Sequence, residues 1–265
     1  MIAEIVRRKT PYFFLASRDG KRFLLLYRPY LPFEGEGLPF DAFYFASNAL
    51  YHLRKELERD LAQFDAKPYS GNLKKLFADL GCGKILRQTL LAIPGCGTRT
   101  ALDALELVPG TEEVLPTTAV ADLCRDCGRC VAACPTGALQ GGFDRARCLR
   151  DRMDRPASGG IEGSPFLLGC DRCQAVCPHN SGRTTAVPTA CLPWQTPEHL
   201  VDALLAGKKA LAGLGEAIGT NYVRPTRLAL LAIAFWKDSR PDLVARFLAH
   251  PSEEVRLQAA KALDQ

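Results

Sequence analysis

Eight cysteines between Cys124 and Cys177 constrain this chain more than anything else in its sequence. The first run reads Cys124-x-x-Cys127-x-x-Cys130-x-x-x-Cys134-Pro135. The second reads Cys170-x-x-Cys173-x-x-x-Cys177-Pro178, and Cys148 lies between the two. Eight thiols within 54 residues is the complement of two four-cysteine clusters, and spacings of two residues are those that wrap a [4Fe–4S] cube. Zinc and disulfides are the competing readings. Structural zinc needs only two pairs of ligands, and a disulfide scaffold belongs to shorter, secreted chains.

The first run has the spacing of bacterial ferredoxins, in which three cysteines hold one cube and the fourth reaches the other. A short loop places three thiolates around one cube, whereas the cysteine before proline points away. The expected ligands of cluster one are therefore Cys124, Cys127, Cys130 and Cys177, and those of cluster two are Cys134, Cys148, Cys170 and Cys173.

At 265 residues the chain is long enough for more than a ferredoxin, and 47% hydrophobic residues allow a substantial core. A net charge of +5 favours an acidic partner only weakly. Eleven cysteines suit a reducing compartment. The start, Met1 to Thr10, has no apolar signal core, and the run Leu228 to Trp236 is too short to span a bilayer. These features lead us to expect a soluble, cytoplasmic protein.

Along the chain, Tyr12 to Ala16 and Phe23 to Tyr27 read as two strands of a hairpin turned at Asp19-Gly20. The aromatic run Phe40 to Phe45 suggests a third strand. Asn48 is placed to cap a helix whose inner face carries Leu50, Leu53, Leu57 and Leu61, with Arg54 among the outward charges. Residues 71–80 form a second amphipathic helix, and residues 99–107 a short helix or strand. A boundary is expected near 115–122. A polar linker then follows Cys177 to about residue 197, and helices are expected around Leu200, Leu228, Leu243 and Val255, with Pro241 in a first turn and Ser252 as a cap.

The segments Cys124-Arg-Asp-Cys-Gly-Arg-Cys-Val-Ala-Ala-Cys-Pro-Thr-Gly-Ala-Leu139 and Gly169-Cys-Asp-Arg-Cys-Gln-Ala-Val-Cys-Pro-His-Asn180 resemble the epoxyqueuosine reductase family, related to reductive dehalogenases. Fainter likeness lies in Leu26-Tyr27-Arg28-Pro29-Tyr30, in Tyr51-His52, and in the segment from Asp65 through Pro68 to Gly83. The opening of the family's corrinoid domain has no counterpart, Gly81-Cys82-Gly83-Lys84-Ile85 differs from the family's loop, and His179 stands where the family has Trp.

The resemblance implies an α+β chain in three parts. Residues 1–118 would be a shortened corrinoid- or substrate-binding-like α/β domain, 119–185 a two-cluster ferredoxin-like domain, and 186–265 a HEAT-like helical domain. It implies two [4Fe–4S] clusters and cobalamin as cofactors. The implied chemistry is reduction of an epoxide on tRNA or a related substrate, fed by a donor of the reduced ferredoxin or flavodoxin type. Asp65 takes the position of the catalytic acid, with a solvated helix-end carboxylate as the competing reading. Gly83 and Lys84 fall where a corrinoid or phosphate would be held, with a plain turn as the alternative.

Cys82 and Cys96 read as small buried hydrophobes or as residues beside a cofactor; Cys191 reads as incidental. Arg145, Arg147, Arg150, Arg152 and Arg155, with Arg224 and Arg227, form either an RNA-backbone track or a solvated face interleaved with Asp144, Asp151 and Asp154. A different class of protein also fits the cysteines, an electron-transfer protein of the ferredoxin type with no active site of its own.

Overall fold

The computed structural model describes residues 1–34, 38–108, 124–153, 161–180 and 182–264. The expected boundary at 115–122, together with Asp154 and Arg155, lies outside them. Helices and strands are mixed, and the chain divides into two compact units. One comprises 1–30, 46–129 and 176–182; the other comprises 31–45, 130–175 and 183–265.

In the first unit, helix α1 (Ile2–Arg7) precedes the hairpin of β1 (Phe13–Arg18) and β2 (Lys21–Pro29). Asp19 and Gly20 have φ of 52° and 72°, the left-handed pair that a two-residue hairpin turn requires. Helix α2 (Ala42–Asp60) contributes its residues from Ala46 onward. Then come β3 (Lys67–Pro68), α3 (Leu73–Asp79), β4 (Lys84–Ile85), β5 (Leu91–Ala92) and β6 (Thr100–Leu107).

The main sheet is antiparallel in the order β1-β2-β6-β3, so β2 and β6 are its inner strands. Their residues are accordingly buried on both faces. Phe23 and Leu25 join Leu76, Phe77, Leu91 and Ala104 in one apolar cluster. Leu24 and Leu26, which alternate to the other face, are fully buried as well.

Two expectations about α2 change. The helix begins at Ala42, where a strand was expected, and Asp41 accepts a hydrogen bond from the Phe43 N–H at 3.0 Å. Asn48 is therefore inside the helix and does not cap it. Arg54, expected to face outward, is buried; its Nε donates to Asp103 at 3.0 Å and its Nη1 to Glu58 at 2.6 Å. Leu50, Leu57 and Leu61 are buried as expected, Leu53 only partly so, and α3 is capped by Asn72, whose side chain accepts from the Lys75 N–H.

In the second unit the cysteine-bearing segments contain three short helices, α4 (Arg129–Ala132), α5 (Leu149–Met153) and α6 (Arg172–Ala175). Longer helices follow: α7 (Pro197–Ala206), α8 (Ala212–Ile218), α9 (Pro225–Trp236), α10 (Pro241–Arg246) and α11 (Glu253–Leu263). Pro197, Pro225 and Pro241 each occupy a first turn, where a missing N–H costs no hydrogen bond. Their apolar faces bury Leu200, Leu204, Leu228, Ile233, Leu243, Phe247 and Val255 in one core. Ser252 precedes α11 without a side-chain capping bond. No helix among the described residues is long and apolar enough to cross a membrane.

Burial raises the Asp103 carboxyl above its ordinary value, and Arg54 works against that shift. Replacing Arg54 with alanine should cost about 2 kcal/mol at neutral pH, because it strands the half-buried Asp103 carboxylate. A carboxyl raised in the folded state binds its proton more tightly there than in the unfolded chain. Stability therefore falls as pH rises through the raised value, and the penalty should shrink in mild acid as Asp103 protonates. Urea unfolding of both proteins at neutral and mildly acid pH measures this.

Candidate metal centre

The second unit holds the four thiols assigned to cluster two. Cys134 follows α4, with its carbonyl accepting from the Gly137 N–H. Cys148 ends a 3-10 turn (Arg145–Arg147) capped by the Asp144 carboxylate, and its carbonyl accepts from the Arg152 N–H in α5. Cys170 and Cys173 bracket the start of α6. Gly169 fixes that approach: its φ is +110°, and a Cβ there would lie 2.3 Å from the Cβ of Asp41. Its N–H donates to the Met153 sulfur at 3.0 Å, tying the second cysteine run to α5.

These thiols lie close enough to perturb one another. Cys173 is pushed up to about 12, first by burial and then by the negative charge that Cys170, Cys148, Cys130 and Cys134 would carry. Cys170 is pushed up to about 11 by burial, with Cys148 adding to it. Cys134 differs. Burial raises it, but the Thr136 hydroxyl and the backbone N–H groups of Thr136, Ala138 and Leu139 more than offset this and leave it lowered. Buried thiols that repel as thiolates are stabilised when cationic metal replaces their protons. Among the described residues no three Cys, His, Asp or Glu side chains close on one point as ligands of a single ion do. A cube of iron and sulfide sets its thiolates at separate corners, and four cysteines are the complement that such a cube takes.

In the first unit Cys177 is buried in a small apolar cluster with Leu86 and Ala92, and Cys124 packs against it. The Cys127 N–H points to the Cys124 carbonyl at 3.4 Å. The turn joining β4 to β5 reaches this sulfur region twice. Arg87 donates to the Arg125 carbonyl at 3.5 Å, and the buried Gln88 donates its side-chain N–H to Cys177 Sγ at 3.4 Å. After Cys177, the Asn180 side-chain oxygen accepts the Thr98 N–H at 2.7 Å. His179 Nε2 is buried and has no hydrogen-bond partner among the described residues. Sequence reasoning missed Gln88, since one polar residue in a turn between apolar runs carries no signal.

The other expected site residues lie elsewhere in the first unit. Asp65 follows a 3-10 turn (Ala62–Phe64) in a left-handed conformation, φ 49°. Its carboxylate pairs with Lys67 at 2.7 Å and its side chain is 60% exposed. It borders an open groove of about 730 Å³ whose walls include His52, Lys55, Glu58 and Arg59 from α2. Gly83 packs flat on β5, where a Cβ would meet the Ala92 carbonyl oxygen at 2.6 Å, and Lys84 is exposed on β4. Cys82 is buried in the core beneath α3 and is pushed up to about 12 by burial; Cys96 packs against that core, and Cys191 is buried in the core of the other unit.

Several arginines of the expected track are committed internally. Arg150 lies 3.7 Å from the centroid of the Phe43 ring, Arg152 donates to the Ala146 carbonyl, and Arg227 donates to the Met153 carbonyl. Arg145 pairs with Asp151.

Residues 123–180 match the family described as a 4Fe-4S double cluster binding domain. An epoxyqueuosine reductase of Listeria monocytogenes is 35% identical over 201 residues, which is 69% of this chain and 51% of that protein. The chain spans about half the length of such relatives. Its fold is like that of the solved epoxyqueuosine reductase from Streptococcus thermophilus, with TM-score 0.64 and 21% identity over 91% of this chain and 72% of the other. It is also like an epoxyqueuosine reductase solved with an epoxyqueuosine-modified tRNA stem loop, with TM-score 0.51 and 20% identity over 92% and 81%.

Thiol chemistry gives a direct check. In iron-free, reduced protein, iodoacetamide at neutral pH should modify Cys134 well before Cys173, because the first thiol is lowered and the second raised. Reloading with iron and sulfide should protect both. Mass spectrometry of quenched peptides reads the order.

Proposed function

We propose, from its likeness to the epoxyqueuosine reductases, that the chain is an iron–sulfur oxidoreductase whose substrate is an epoxide-bearing base in tRNA or a related molecule. The single observation that most supports this is that Cys170, Cys148, Cys130 and Cys134 all lie within electrostatic reach of Cys173 in a segment of double-cluster type. In this reading cluster two takes those four thiolates, and cluster one takes Cys124, Cys127, Cys130 and Cys177. Bound clusters supply one-electron steps at low potential. A reduced ferredoxin or flavodoxin is the proposed donor. The division proposed for function is 1–118 for substrate, 119–185 for electron transfer and 186–265 as a HEAT-like support, with the first part resembling the family's corrinoid domain.

Removing an epoxide oxygen as water takes two electrons and two protons. Asp65 is the proposed donor of one proton. It stands beside an open groove, and because its pair with Lys67 favours the carboxylate, a substrate covering the groove would have to displace Lys67 and exclude water for the carboxyl to act as a general acid. Lys55 and Arg59 on the same groove are suited to phosphate oxygens. Cobalamin remains an expectation of the resemblance, with Gly83 and Lys84 as the residues that would meet it. Gly83 packs closely on β5, and the proposed chemistry takes no step through a corrinoid.

Incubating iron-loaded protein with a strong reductant and a tRNA stem loop carrying epoxyqueuosine should remove one oxygen from the base, as read by mass spectrometry. Asp65→Asn should slow turnover by about 100-fold with iron content unchanged. Reducible clusters combined with an untouched epoxide would instead support a pure electron carrier.

A further inference from the structure

We infer that Gln88 is a positioning residue for cluster one: its side-chain N–H, donated to Cys177 Sγ, sets that cluster's reduction potential. The inference rests on the proposed role of Cys177 as a cluster thiolate. The contact is 3.4 Å long and joins groups 89 residues apart, and Gln88 is only 3% exposed. A cluster-bound thiolate accepts and does not donate, so only the nitrogen end of the amide suits it.

The fold holds this amide in place. Gln88 lies in a tight turn closed by the Leu86 N–H to the Leu90 carbonyl and the Thr89 N–H to the Leu86 carbonyl. Lys74 clamps the same turn by donating to the Thr89 carbonyl at 2.7 Å. Leu86 and Ala92 cover the sulfur with apolar surface, so water does not readily replace the amide. A reduced cluster carries one more negative charge than an oxidised one. A fixed N–H dipole aimed at its thiolate therefore stabilises the reduced form more and raises the potential, and hydrogen bonds to the sulfurs are among the factors that set such potentials. In a low-dielectric setting that preference is large.

The test compares the wild-type protein with Gln88→Met and Gln88→Leu after air-free reconstitution. Both variants remove the donor, and Met keeps the side chain's length. Iron is counted, and redox titration followed by electron paramagnetic resonance gives both potentials. We expect about eight irons in all three proteins. One potential should fall in each variant by a tenfold or larger change in its one-electron equilibrium, about 59 mV. The other potential should not move. Full iron with both potentials unchanged in both variants overturns the inference, as does loss of one cluster from both, which would make Gln88 a structural support. Failure of the cluster reading itself appears separately, as too few irons in the wild type.

Discussion

An iron–sulfur cube has four corners to satisfy, and a short loop reaches only three of them. The remaining thiolate must come from another part of the chain, so the cluster and the fold are solved together. Within the second unit the proposed ligand set is drawn from several such parts. Cys134 leaves α4, Cys148 enters α5, and Cys170 and Cys173 bracket α6, with the Gly169 N–H on Met153 linking two of these pieces. Burial makes Cys170 and Cys173 poor thiolates alone. Metal binding must then supply the free energy that deprotonates them, which couples the centre to the stability of its unit.

Much of this organisation was legible in the sequence because it is local. The cysteine spacing, the Asp19-Gly20 hairpin and the three-to-four periodicity of the C-terminal helices each express a short-range rule. What was not legible depends on distant partners. Phe40 to Phe45 is aromatic enough for a strand, yet Phe43 and Tyr44 enter a helix whose start is fixed by Asp41 and whose aromatic side chains pack on Arg150 and Tyr222. Arg54 sits at a helical position that reads as outward until Asp103 on β6 is placed opposite it. Gln88 has no local signature at all; only the chain's return at Cys177 gives it meaning.

The candidate site residues divide along the same line. Eight cysteines announce themselves by spacing. Asp65, Gly83 and Lys84 rest on register with relatives, and the structure gives each a different standing. Asp65 borders a groove, Gly83 is required by the close approach of β5, and Lys84 is simply exposed. The chain shares its fold with solved epoxyqueuosine reductases at about one-fifth identity, while the thiol chemistry says what the chain can hold.

The claim that two cubes occupy this chain is tested most directly by Mössbauer spectroscopy of protein reconstituted with iron-57, alongside zinc and sulfide determination. The account predicts about eight irons and as many sulfides per chain, all in the valence-delocalised signature of [4Fe–4S] centres, with negligible zinc. A spectrum of isolated four-thiolate iron, or stoichiometric zinc without sulfide, would contradict it.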